Sequence, residues 1–139
     1  PSSISYTGNN RTHMIRVPDA GRFELRLMDG SANPYLLQAG IIAAGLHGLN
    51  NKINPGEPLT CNMYTDYKNY PNLKKLPNEI QGALDFLENS KELKEAFGDN
   101  IINSYIKLKN MEIEDFNIHN NFDKKAAVTD WEKNNTLDC

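Results

Sequence analysis

Arginine and glutamate alternate over one short stretch of the chain. Arg22, Glu24 and Arg26 are spaced two residues apart, and on a β-strand residues at this spacing point to the same face. That face would present a carboxylate between two guanidinium groups. Carboxylate oxygens bind hard divalent cations and guanidinium groups bind phosphate oxygens, so the pattern suits a metal ion bound to phosphate. The alternative is a surface ladder of ion pairs that contributes little to stability.

Two further arginines precede this stretch and raise the local positive charge. Arg16 alternates with Ile15 and Val17, and Arg11 follows an approach rich in glycine and asparagine. Four arginines on one short hairpin would repel one another unless an anion lay between them, and a polyphosphate is a suitable anion. The sequence therefore indicates an anion-binding site on this hairpin.

The three histidines do not form a recognisable metal site. His13, His47 and His119 lack the spacing of metal ligands, and we interpret them as ordinary core or surface residues. His13 stands apart because it lies beside Arg11, where it either takes part in the site or caps a turn.

The period of the apolar side chains predicts the elements that position these residues. A period near two predicts strands over about residues 14–17 and 22–28, and the short connection at Asp19–Gly21 predicts an antiparallel hairpin. Helical periods and capping residues predict helices after it. The helices span about residues 34–49, 78–88, 90–97 and 99–116. The fold class is therefore α+β, a short antiparallel strand hairpin followed by several helices.

The remaining segments carry weaker signals. Residues 51–77 are rich in proline, asparagine and tyrosine, which predicts long surface loops unless a partner orders them. The tail at 117–139 is polar and shows no sustained period. The apolar stretch from Tyr35 to Leu49 is interrupted by glycines and is short for a membrane span, so it predicts a buried helix.

Composition excludes several classes of protein. The 139 residues carry a formal net charge of −3 at pH 7, which argues against a general nucleic-acid-binding protein. No segment is typical of a membrane protein. The two cysteines, Cys61 and Cys139, lie far apart and indicate neither a disulfide framework nor a cysteine metal site. A reducing cytoplasm is the simplest compartment.

Five segments of the chain resemble the glutamine synthetase family. Residues 10–18 resemble its arginine-rich signature, and residues 22–26 resemble its Arg-x-Glu-x-Arg strand. Residues 29–36 resemble its Ala-Asn-Pro-Tyr-Leu helix start, and the similarity continues through 43–49 and 52–57. The resemblance covers most of the chain and identifies residues 1–139 as the carboxyl-terminal part of that family's catalytic domain.

The resemblance implies a role for each residue that matches a family motif. Glu24 matches a carboxylate ligand of an active-site divalent ion, Mg²⁺ or Mn²⁺. Arg11, Arg16 and Arg26 match catalytic side chains around glutamate and the nucleotide phosphates. Arg16 and Arg22 match contacts to the cofactor ATP.

The resemblance also implies a reaction and its partners. The family forms γ-glutamyl phosphate from glutamate and ATP, and ammonia or another small amine then displaces phosphate. Its other metal-binding glutamates, a histidine ligand and a glutamate-bearing flap lie upstream in the family. We therefore expect that this chain alone does not catalyse the reaction. Family members assemble into homo-oligomeric rings with active sites between subunits.

Three questions stay open at this point. The segment Thr129–Glu132 resembles family members of type III or the γ-glutamylmethylamide synthetase branch, which leaves methylamine as an alternative to ammonia. Tyr64 aligns with a tyrosine that is adenylylated in some bacterial members, but residues 65–67 differ from the usual context, and we expect an unmodified loop tyrosine. The other alternative is a stand-alone relative that serves as a non-catalytic binding or assembly module.

Overall fold

The computed structural model describes residues 1–119 and 128–136. These residues form two units, the first made of residues 1–29 and 54–80 and the second of residues 30–53 and the described part of 81–139. The first unit contains the predicted hairpin, and the second contains most of the helical structure.

The first unit is built around a three-stranded sheet. Strand β1 covers Tyr6–Thr7, β2 covers Ile15–Asp19 and β3 covers Arg22–Leu25. β2 lies in the middle, parallel to β1 and antiparallel to β3. Gly21 connects β2 to β3 with a φ of 75°, a conformation in which a side chain would be strained. The predicted antiparallel hairpin is confirmed.

The strands differ from the sequence prediction in two respects. β3 ends at Leu25 instead of near Met28, although the N–H of Arg26 still donates to the carbonyl of Met14 at 2.9 Å. β1 is not predicted from the sequence, because two residues are too few to show a period. Arg26 therefore lies just beyond the end of β3, but its main-chain hydrogen bond keeps it in line with the strand.

The segment from residue 54 to residue 80 is held by the amino-terminal residues. The N–H of Leu59 donates to the carbonyl of Tyr6, and the N–H of Leu76 donates to the carbonyl of Ser2, both at 3.0 Å. A single turn of 3₁₀-helix at Tyr67–Asn69 is the regular element described within this segment. The prediction of long loops is confirmed, and backbone pairing within the same unit orders them.

Helices make up most of the second unit. Among the described residues they are α1 at Pro34–Asn50, α2 at Ile80–Asn89, α3 at Lys91–Phe97, α4 at Asp99–His119 and α5 at Asp130–Asn135. A small sheet followed by helices confirms the predicted α+β class.

The helices near the carboxyl-terminal end differ from the prediction in one boundary and in one additional helix. α4 continues to His119, three residues beyond the predicted end near Phe116. α5 lies in the polar tail, where no helix is predicted, because six residues are too few to show a helical period. Thr129 and Glu132 begin α5 with a capping box, in which each side chain bonds the main-chain N–H of the other.

The helical unit buries few apolar side chains. Leu84 and Ile102 are buried, and α1 packs against α3, which packs against α4. An apolar cavity of about 250 Å³ lies within this unit. Its lining includes Leu36, Leu37, Leu87, Leu93, Phe97 and Tyr105.

The predicted burial of α1 is wrong for the described residues. None of its residues is buried, and Tyr35 and Leu49 are 82% and 75% exposed. Apolar side chains lie on all sides of this helix, so one neighbouring helix covers only part of its surface. No helix in the described ranges is both long and apolar enough to cross a membrane.

Asn33 caps α1, and its removal should weaken the helical unit. Its Oδ1 accepts hydrogen bonds from the N–H groups of Tyr35 and Leu36 at 3.0 and 3.1 Å. We expect Asn33→Ala to lower the free energy of unfolding by about 1 kcal/mol, because both donors lose their acceptor. Asn33→Asp keeps an acceptor oxygen and is the matched control. Urea unfolding followed by far-ultraviolet circular dichroism measures the difference, and equal midpoints for Asn33→Ala and wild type would contradict the capping role.

Candidate functional site

Glu24 lies at the centre of a cluster of three arginines. Nη1 of Arg16 donates to both carboxylate oxygens of Glu24 at 2.8 Å. Nη2 of Arg22 donates to Oε1 at 2.6 Å, and Nη1 of Arg26 lies 3.8 Å from Oε2. One carboxylate neutralises one of the three guanidinium charges. The cluster therefore has two net positive charges.

The strand register brings these four side chains together. Arg16 on β2 is the direct cross-strand partner of Glu24 on β3, and directly opposed residues share a face of the sheet. Arg22 and Arg26 flank Glu24 at a spacing of two residues. The contacts confirm the predicted common face, whereas the catalytic, ATP-binding and metal-binding roles of these residues stay predictions.

Arg16 is the most covered charged side chain of this cluster, whereas Arg22 is 63% exposed. The side chain of Arg16 is 11% exposed, whereas Phe23 and Leu27 on the other face are 60% and 40% exposed. Within the described residues, Phe23 is therefore covered only in part. The low exposure of Arg16 distinguishes its pair with Glu24 from an ordinary solvent-exposed ion pair.

The arginines determine the charge state of Glu24. Hydrogen bonds from Arg16 and then from Arg22 lower the pKa of Glu24 from 4.5 to about 2, although partial removal of solvent acts in the opposite direction. Glu24 is therefore ionised at neutral pH. A cation that binds this carboxylate does not have to displace a proton.

Arg11 joins the cluster through its main chain. Its carbonyl accepts a hydrogen bond from Nε of Arg26 at 3.1 Å, while its side chain is exposed. Asn9, which the sequence analysis does not single out, accepts a hydrogen bond from Nε of Arg16 at 3.1 Å and another from its Nη2. The asparagine-rich approach to Arg11 is the sequence signal for this contact.

The histidines lie outside the cluster. His13 is fully buried in the first unit. His47 bonds Asn51 through Nδ1 at 3.2 Å, and Nδ1 of His119 lies 2.9 Å from Oδ1 of Asp115. His13 thus lies in the interior and His119 at the surface, and the role of the histidines stays a prediction.

The carboxylate of Glu24 could serve as one ligand of a divalent cation. A carboxylate oxygen is a hard donor that suits Mg²⁺ or Mn²⁺. In residues 1–119 and 128–136, no three histidine, cysteine, aspartate or glutamate side chains lie close enough to hold a metal ion. Glu24 would therefore supply one ligand of a larger set, and the neighbouring guanidinium groups would face the anion.

One protein family matches nearly the whole sequence. Residues 1–135 match the model described as glutamine synthetase, catalytic domain. The chain belongs to this family. The family resemblance seen in the arginine and glutamate motifs is thus confirmed.

Individual members of the glutamine synthetase family match the chain over its full length. Glutamine synthetase of Rhizobium meliloti (strain 1021) is 46% identical over 138 residues, which are 99% of this chain and 30% of that protein. Glutamate–methylamine ligase of Methyloversatilis universalis is 39% identical over 142 residues, with coverages of 99% and 30%. A solved GmaS/ADP complex matches 100% of this chain and 30% of its own, with a TM-score of 0.81 and 41% identity. The chain spans about 30% of the length of these relatives.

The low pKa of Glu24 predicts how acid affects the hairpin in the absence of divalent cations. A carboxylate whose pKa is lowered by folding stabilises the folded state above its ordinary pKa, here 4.5, and this contribution is lost as the pH falls toward about 2. We expect the urea midpoint to fall more steeply between about pH 5 and about pH 3 in wild type than in Glu24→Gln. The variant cannot titrate at this position.

Two results would contradict this assignment. Parallel pH profiles for wild type and Glu24→Gln would show that the carboxylate does not contribute as an anion. A carbon-13 titration of the Glu24 carboxyl group tests the same point directly, and a midpoint near 4.5 instead of about 2 would rule out strong hydrogen bonds from the arginines.

Proposed function

We propose that this chain forms part of the active site of an ATP-dependent ligase that joins an amine to glutamate. One observation carries the proposal. In a chain of the glutamine synthetase family, three arginines surround one ionised carboxylate and leave an excess of two positive charges. A site that binds a metal ion and a polyphosphate requires this combination of donors.

Binding of ligands would exchange the partners within the cluster. Glu24 would turn from the arginines to Mg²⁺ or Mn²⁺, which neutralises charge on the phosphates when bound. Arg16 and Arg22 would then donate to the phosphate oxygens of ATP. Both already hold their guanidinium groups beside a carboxylate, and guanidinium donors fit phosphate and carboxylate oxygens with the same geometry.

The arginines would act on both steps of the reaction. In the first step, the γ-carboxylate of glutamate attacks the terminal phosphorus of ATP, the bond to ADP breaks, and γ-glutamyl phosphate forms. In the second, the nitrogen of the amine attacks the acyl carbon, the bond to phosphate breaks, and the nitrogen loses a proton as phosphate leaves. Arg11, Arg16 and Arg26 would neutralise negative charge on glutamate and on the transferred phosphoryl group, which is the main protein contribution to phosphoryl transfer.

The identity of the amine has two candidates. Relatives include both a glutamine synthetase and a glutamate–methylamine ligase, at 46% and 39% identity. We favour ammonia because of the higher identity, with methylamine as the second candidate. The family's homo-oligomeric ring and a cytoplasmic location complete the proposal.

A hybrid protein provides the test of activity. The 139 residues replace the matching segment of the Rhizobium meliloti glutamine synthetase, which covers 30% of that protein. We expect the hybrid to release ADP and form amide from glutamate, ATP and ammonia, and we expect the isolated chain to form none, because one carboxylate does not make a complete metal site. Methylamine is assayed in parallel. Amide synthesis by the isolated chain would contradict the proposal that it supplies only part of the site.

Glu24→Ala tests the metal-binding role within this hybrid. We expect kcat/KM to fall roughly 10²- to 10³-fold, with the largest loss at limiting magnesium, because one anionic ligand is missing. Glu24→Asp is the matched control that keeps the charge, and the size of the assembled hybrid is measured for each variant. Activity within a factor of about two of the unmodified hybrid at limiting magnesium would refute the role of Glu24.

A further inference from the structure

Three side chains that flank Arg11 converge on one short piece of backbone. Nδ2 of Asn10 and Nε2 of His13 lie 3.0 and 2.9 Å from the carbonyl oxygen of Cys61. The N–H of Met63 donates to Oγ1 of Thr12 at 3.0 Å. Residues 10–13 are thus attached at three points to residues 61–63, about fifty positions later in the chain.

His13 is the buried member of this attachment. Its side chain is 0% exposed, and its second ring nitrogen, Nδ1, lies 3.0 Å from Oγ of Ser5. A carbonyl oxygen only accepts hydrogen bonds, so Nε2 must carry the proton toward Cys61. The imidazole therefore joins three separate parts of the first unit at one point.

The same attachment fixes the turn that carries Arg11. Oδ1 of Asn10 accepts hydrogen bonds from both the N–H and Oγ1 of Thr12 at 2.9 Å, which closes a tight turn around Arg11. The carbonyl of Arg11 then accepts from Nε of Arg26. A displacement of this turn would move the acceptor that orients Arg26.

We propose that His13 is a positioning residue of the arginine cluster, acting through the Cys61 carbonyl and the Arg11 carbonyl on the guanidinium group of Arg26. Its importance for turnover rests on the function proposed above, but its effect on Arg26 does not. Within the described residues, His13 forms no hydrogen bond with Glu24 or with an arginine side chain, so its influence passes through the backbone that it holds.

Two substitutions that each introduce a side-chain amide distinguish the contribution of Nε2 from that of Nδ1. In His13→Gln, the side-chain amide takes the place of Nε2 and keeps a donor for the Cys61 carbonyl. In His13→Asn, the shorter amide takes the place of Nδ1 and leaves that carbonyl without this donor. His13→Ala removes both contacts. All three are made in the 139-residue chain, with isotope-labelled arginine.

The Nε–H resonance of Arg26 reports its hydrogen bond to Arg11. We expect His13→Gln to keep the wild-type chemical shift and slow solvent exchange of this resonance, and His13→Asn and His13→Ala to lose both. The Arg22 resonance should stay unchanged in every variant, because Arg22 bonds Glu24 and not the turn. A general loss of packing would disturb the Arg22 and Arg26 resonances together, whereas loss of the Nε2 hydrogen bond changes Arg26 alone.

Two outcomes would overturn the proposal. Wild-type Arg26 signals in all three variants would show that His13 does not position Arg26. Equal loss in His13→Gln and His13→Ala would show that the ring acts by packing and not through Nε2.

A measurement of magnesium pyrophosphate binding distinguishes a failure of the His13 proposal from a failure of the proposed function. We expect His13→Asn to bind it roughly five- to tenfold more weakly than His13→Gln, the effect of about one hydrogen bond. If the wild-type chain does not bind pyrophosphate while the Arg26 resonances follow the expected pattern, the proposed phosphate site fails and the positioning role of His13 stands.

Discussion

The contact between Arg16 and Glu24 connects β2 and β3 at the point where the site is formed. It is a direct cross-strand pair, the arginine is largely covered, and both carboxylate oxygens accept from the same Nη1. A slip of one residue in this register would turn one of the two side chains to the opposite face. The approach of Arg16 to the carboxylate that Arg22 and Arg26 flank therefore depends on this register.

The arginine cluster is held together by ion pairs and still has an excess of positive charge. Hydrogen bonds from the arginines keep Glu24 ionised, yet one carboxylate does not balance three guanidinium groups. Such an arrangement holds its geometry without ligands and still attracts anions. Residues 61–63 extend this organisation, because they hold the turn at Arg11 whose carbonyl orients Arg26. A loop distant in sequence thereby becomes part of the support for the site.

Polar and apolar surfaces are distributed unusually in the described residues. His13 is fully buried and Arg16 is largely covered, whereas Phe23, Tyr35 and Leu49 are mostly exposed. Hydrogen bonds and ion pairs satisfy the covered polar groups, which makes their burial tolerable. In the described ranges, these apolar side chains are covered only in part. The sequence pattern of α1 is typical of a buried helix. In the described ranges α1 packs against α3, which covers only part of its surface.

The sequence by itself determined the hairpin, the main helices, the common face of Arg22, Glu24 and Arg26, and the family. Each of these depends on a local period or on a motif of neighbouring residues. The sequence does not predict elements that are too short to show a period, such as β1 and α5. It also does not predict contacts between residues that are distant along the chain. Only the tertiary structure decided that Arg16 pairs with Glu24, that the Arg11 carbonyl accepts from Arg26, and that His13 bonds Cys61. These contacts depend on strand register and chain reversal, which local side-chain patterns do not encode.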